Sequence, residues 1–132
     1  METQTLETWA PRVLSILRIV AAALFFEHGL QKLFDIPARP LTASAPEQFT
    51  LIWLSGVFEL IGGALLALGL FSRPVAFLLS GEMAVGYWMV HAPKSFIPLL
   101  NGGDGAILYC FIFLYIFFAG PGPWSLDAMR EK

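Results

Sequence analysis

The chain has 132 residues, the size of one domain. Its residues are 57% hydrophobic and 14% charged, with a mean hydropathy of +0.69; soluble domains sit nearer about 45–50% apolar and about 25% charged, so the composition is that of a membrane protein. A net charge of -2 without a basic cluster argues against nucleic acid as a partner, and the single cysteine, Cys110, excludes an intrachain disulfide and any CxxC redox or metal motif.

Residues 1–10, METQTLETWA, read as a short polar lead. Thr8 is suited to cap the first helix and Pro11 to its first turn. That helix is predicted over about 12–34. Its apolar stretch, 13–34, is about 33 Å long at ~1.5 Å per residue, enough to cross a bilayer core. It is too long for a secretory h-region and lacks a good A-x-A site before a soluble domain, so it reads as an uncleaved first span. Residues 35–49, DIPARPLTASAPEQF, hold three prolines and read as an ordered external loop. A second helix is predicted over about 50–71, a tight turn at Ser72-Arg73-Pro74, and a third helix over about 74–92. Pro93, Pro98 and Asn101-Gly102-Gly103 break the chain before a fourth helix at about 104–119. Gly120-Pro121-Gly122-Pro123 stops that helix, and 120–132 is a tail. The expectation is an all-α fold: a transmembrane four-helix bundle with short loops, one domain over 1–132. A soluble four-helix core is excluded because the runs show almost no polar face.

Loop charges set the orientation. Arg12, Arg73, Arg130 and Lys132 fall on one side, Arg39 and Lys94 on the other with Lys32 at its edge, which favours cytoplasmic N- and C-termini in a bacterial inner membrane. Trp9 and Trp124 then mark the inner interface, Trp53 and Trp88 the outer one.

Ionisable groups at membrane depth are costly unless paired, and they usually mark function. On a helical wheel Arg18, Phe25, Gly29 and Lys32 share one face of helix one, with His28 at its edge and Glu27 opposite. Helix two carries Glu59 among Ser55, Gly56 and Gly63, small residues that permit close helix contact. Helix three has Glu82 after Ser80-Gly81; helix four starts at Asp104 and carries Tyr109. By depth, Arg18 is expected to reach Glu82 and Glu59, while His28 and Lys32 lie nearer Tyr109 and Asp104. The candidate polar cluster is therefore Arg18, His28, Lys32, Glu59, Glu82, Asp104 and Tyr109. The bland readings stand beside it: Arg18 with a carboxylate as a pair that sets helix register, Lys32 snorkelling to headgroups, His28 as an interior hydrogen-bonder. No HxxxH or ExxH pair occurs, so no metal site is expected.

Arg18, His28-Gly29-Leu30-Gln31-Lys32-Leu33, Phe58-Glu59-Leu60-Ile61-Gly62-Gly63, Leu68-Gly69-Leu70-Phe71-Ser72-Arg73, Asn101-Gly102-Gly103-Asp104 and Gly120-Pro121-Gly122-Pro123-Trp124-Ser125-Leu126-Asp127 together resemble the DoxX family of small bacterial membrane proteins, over roughly 13–127. The resemblance implies a four-helix integral membrane protein, and relatives include the quinone-linked subunit of a thiosulfate oxidoreductase. The expected function is an accessory subunit of a membrane redox system with a redox partner protein and a quinone contacted by His28, Lys32 and Tyr109. The alternatives are a proton- or solute-translocating homo-oligomer and an assembly scaffold without chemistry.

Overall fold

The structure, a computed structural model, describes residues 2–131. Helix α1 runs Thr3–Phe34, 32 residues or about 48 Å. It starts more than two turns before the predicted start near residue 12. Leu6, Glu7 and Ala10 are good helix formers, and the Thr8 hydroxyl, expected to cap, instead donates to the Gln4 carbonyl within the helix (2.8 Å). Pro11 sits inside the helix and removes one donor from its ladder. Asp35 ends the helix in the left-handed region (φ 57°), its N–H on the Gln31 carbonyl.

Helix α2, Leu51–Leu68, is opened by Thr50, whose hydroxyl accepts from the Trp53 N–H (3.3 Å). It stops at Gly69 (φ 70°), where the Leu70 N–H returns to Leu65 and the Gly69 N–H to Leu66. This paired closure requires a left-handed residue, and it ends the helix before the predicted residue 71. Helix α3, Ser72–Gly86, continues into a π-helical turn, Tyr87–His91, and a short 3-10 turn, Ala92–Lys94. The short α4, Pro98–Asn101, leads into α5, Asp104–Ala119. In the tail, Ser125 caps α6, Leu126–Arg130, by accepting from the Ala128 N–H (3.1 Å).

No strand occurs among the described residues. Thr3–Phe34, Leu51–Leu68 and Ser72–Lys94 are long and apolar enough to cross a membrane, and Asp104–Ala119 is apolar but shorter. The all-α membrane class thus holds.

Contacts divide the chain into two compact units. The first holds the described residues up to Phe71 together with those from Pro121 onward; the second spans Ser72–Gly120. In the first, α1 packs along α2, with Ala21, Ala22, Phe25 and Leu66 buried. In the second, α3 packs along α5. There Phe77 meets Phe117 (ring centroids 5.1 Å), and the Ser80 hydroxyl donates to the Cys110 carbonyl (2.7 Å). Arg73 donates to the carbonyls of Phe117 and Phe118 (3.2 and 2.9 Å), covering acceptors that the end of α5 leaves open.

Candidate functional site

The seam between α1 and α2 is built on glycine. A Cβ at Gly29 would lie 2.6 Å from the Leu60 nitrogen and 2.8 Å from the Gly56 carbonyl oxygen, so nothing larger fits between these backbones. Gly63 is similarly tight against Phe26. Dispersion contacts from so close an approach hold membrane helices together, where no hydrophobic force acts between them.

This approach brings Lys32 of α1 onto Glu59 of α2. The ammonium donates to Glu59 Oε1 (2.8 Å) and to Ser55 Oγ (3.0 Å). Ser55 in turn donates to the Ile52 carbonyl (2.6 Å), which leaves its oxygen free to accept from Lys32. The Glu59 side chain is 3% exposed and the Lys32 side chain 30%. Glu59 Oε2 is buried without a hydrogen-bond partner among the described residues. The ammonium has three donors, of which two are committed here.

Across the seam Lys32 lies level with Gly56, so its backbone and that of Glu59 are one helical turn, ~5 Å, apart in depth. Two effects close the gap. Side chains on a helix lean toward its N-terminus, and α1 and α2 run in opposite directions in the expected topology, so Lys32 and Glu59 lean toward each other. The four-carbon stem of lysine covers the rest. The expectation set Lys32 nearer Asp104 and Tyr109; within the first unit its partners are Glu59 and Ser55.

Arg18 departs further from expectation. It is fully buried, yet among the described residues of its own unit its hydrogen bonds do not reach Glu59. They go to the backbone carbonyls of Pro121, Trp124 (2.7 Å) and Ala67 (3.5 Å). Ala67 lies in the last turn of α2, where carbonyls have no intrahelical donor, and the Gly-Pro-Gly-Pro segment has few N–H groups of its own. Around it, Ser15 Oγ accepts from the Trp124 N–H (3.1 Å). Asp127 Oδ1 accepts from the Phe71 N–H (2.9 Å), and the Asp127 N–H donates to Gly69 (2.9 Å). Arg130 lies over the Phe71 ring at 5.2 Å. The tail is thereby fastened to α1 and α2.

His28 is exposed, with Nδ1 on the Leu24 carbonyl of its own helix (2.9 Å), and it lies within electrostatic reach of Glu59. Glu27 is exposed as well. The second unit holds the remaining candidates. Glu82 is half-buried in α3, Asp104 is exposed at the start of α5, and Tyr109 stacks on Phe113 (5.7 Å between centroids).

Two further groupings exist only in the fold. In the second unit, buried Asn101 donates to Tyr87 Oη (3.1 Å) and to the Ser95 carbonyl (3.0 Å), and its Oδ1 accepts from the Gly103 N–H (2.8 Å). His91 Nδ1 meets the Asn101 carbonyl (3.0 Å). The i,i+4 spacing of Tyr87 and His91 was a visible signal; the π-helical turn that carries them was not. In the first unit, an open cavity of about 410 Å3 lies under the 35–49 loop, lined by Lys32, Asp35, Arg39, Gln48 and Trp53 among others. Arg39 donates to the carbonyls of Gln31 and Lys32, while the Arg39 N–H and side chain both face Asp35 Oδ1 (2.8 and 3.6 Å). The Asp35/Arg39 spacing was its signal.

A helical membrane protein with a lysine–glutamate pair buried in a glycine seam is the class these features define. The chain belongs to the DoxX family, whose model matches residues 13–92. It is similar to an uncharacterized protein of Haemophilus influenzae, 40% identical over 125 residues, covering 92% of this chain and 93% of the relative. It is also similar to an uncharacterized membrane protein of Mycobacterium tuberculosis, 27% identical over 146 residues, covering 92% of this chain and 83% of that protein. No solved structure matches.

Proposed function

We propose that this DoxX protein is an accessory subunit of a membrane redox system, working with a redox partner protein and touching the quinone pool. The observation that carries the reading is the Lys32–Glu59 pair: an ammonium with a donor to spare beside a buried carboxylate with an uncommitted oxygen. A quinone supplies two carbonyl acceptors and takes up protons as it is reduced. Lys32 is suited to donate to such an acceptor, and Glu59 to hold a proton close by. His28 is assigned as a further contact on the same helix, and Tyr109 of the second unit as a separate residue to test. Electrons are assigned to the partner, because one cysteine cannot ligate an iron–sulfur cluster. The protein is placed in the bacterial inner membrane with both termini cytoplasmic, following the distribution of arginine and lysine.

Turnover of the assembled system with quinone as acceptor tests this. His28→Ala and Glu59→Gln are expected to slow it, and unchanged turnover in both would overturn the reading. A mass spectrum of the complex taken from native membranes in mild detergent is expected to show a stoichiometric quinone or a redox subunit.

The same pair favours a second reading. An ionisable couple buried between helices also suits a homo-oligomer that passes protons or a small solute. Flux into proteoliposomes containing this chain alone separates the two, since an accessory redox subunit gives none.

A further inference from the structure

The cavity under the 35–49 loop is framed by both ends of that loop. Asp35 (φ 57°) and Phe49 (φ 65°) hold left-handed backbones. For a bulky residue such as Phe49 this conformation is strained, and strain of this kind gathers at ligand clamps. Phe49 packs on Trp53 at 5.1 Å between ring centroids, and so sets the ring that lines the cavity. Arg39 ties the first part of the loop to the end of α1 through the Gln31 and Lys32 carbonyls.

The charges of the wall cancel. Lys32 is matched by Glu59 and Arg39 by Asp35. A balanced wall offers no net attraction to a phosphate or other multiply charged group. What it offers is directional: the third N–H of Lys32, the second carboxylate oxygen of Asp35, the amide of Gln48 and an indole surface. A volume of about 410 Å3 is in the range of sites for small organic ligands.

We propose that this cavity is a binding site for a compact planar ring bearing a carbonyl or carboxylate oxygen. The oxygen takes the third N–H of Lys32, and the ring lies against Trp53, with Gln48 completing the rim. The proposal deepens the reading of Lys32 as a ligand contact and rests on it for that contact; Trp53, Gln48 and the loop are additional. The ring can arrive from two sources, as the headgroup of a membrane-borne molecule or as a free aromatic acid.

The test is isothermal titration of the full chain in nanodiscs, with empty nanodiscs as the blank. The neutral probe is 2,3-dimethoxy-5-methyl-1,4-benzoquinone and the acidic probe is benzoate. Saturable one-to-one binding of either is expected; preference for the neutral probe indicates the headgroup source, preference for benzoate the soluble one. Trp53→Leu and Gln48→Ala leave the hydrogen bonds of the Lys32–Glu59 pair intact and are expected to keep the wild-type melting temperature. Trp53→Leu should weaken binding by about tenfold, the loss of one aromatic contact at the centre of a small site. Binding of neither probe above the blank, or equal binding by wild type and both variants, overturns the proposal. Quinone-dependent turnover that falls with Glu59→Gln but not with Trp53→Leu would sink the cavity and leave the redox reading standing. Saturable binding with turnover indifferent to both His28→Ala and Glu59→Gln would do the reverse.

Discussion

Removing the Lys32 ammonium should be worse than removing the whole pair. Lys32→Met leaves the Glu59 carboxylate 3% exposed with its salt-bridge partner gone, and an uncompensated charge of that kind costs about 3–5 kcal/mol. Glu59→Gln in the same background removes the charge and should recover most of the loss. Melting of the single and double variants in detergent checks this; a double variant no more stable than Lys32→Met would show that the pair is not coupled. Arg18 answers to a different chemistry. Its planar fork carries two separate nitrogens to different carbonyls, Nη1 to Pro121 and Nη2 to Trp124 and Ala67, where a lysine has a single nitrogen. Arg18→Lys should therefore cost about 1–3 kcal/mol and expose the tail, read as faster amide exchange from Trp124 to Ala128 while α1 stays protected. Much of this was legible in the sequence, since the wheel that grouped Arg18, Gly29 and Lys32 names two buried residues and one half-buried one. The partners were not. Counting carboxylates against cations ignores backbone carbonyls, and those are what Arg18 uses. Depth counted from helix ends ignores the register of the glycine seam, and that register sets Lys32 level with Gly56, one turn from Glu59.

At the scale of the helices, two glycines with the same local chemistry should respond in opposite ways. Gly29 faces the Leu60 nitrogen and the Gly56 carbonyl oxygen across the α1–α2 seam, both closer to an added Cβ than real side chains allow. Gly29→Ala must push the helices apart, and should destabilise by about 1–3 kcal/mol, as overpacking does. Gly81 in α3 has nothing within 4 Å of the same position. Gly81→Ala should gain about 0.5–1 kcal/mol from the better helix propensity of alanine. Thermal unfolding of the two variants checks both signs. The small-residue spacing around Glu59 pointed to this seam, because glycine in an apolar helix has few other uses. Helix ends were harder to place. A polar run such as Thr3–Ala10 reads as a lead by composition but extends α1, since its threonine bonds within the helix. The π-helical turn at Tyr87–His91 depends on contacts in α4 and the following glycine, among them Tyr87 with Asn101, which periodicity does not report.

For the molecule in its bilayer, the length of α1 makes the orientation testable. At about 48 Å it exceeds a hydrocarbon core of about 30 Å by roughly twelve residues. The surplus belongs at the N-terminal end, because Lys32 is held within the protein by Glu59 and the loop closes over the other end. Trp9 and Arg12 lie where that surplus meets the membrane, the guanidinium 4.8 Å from the ring centroid, an arrangement suited to the headgroup layer. On the proposed orientation Arg12 and Arg130 face the cytoplasm, and the 35–49 loop with its cavity faces outward. In a Cys110→Ser background, Thr5→Cys should react with a membrane-impermeant maleimide only after the cells are opened, whereas Ser44→Cys should react in intact cells. The reverse pattern would invert the protein and turn the cavity toward the cytoplasm. The ring-bearing ligand would then have to come from the cytoplasm or the inner leaflet, and a redox partner from the opposite side.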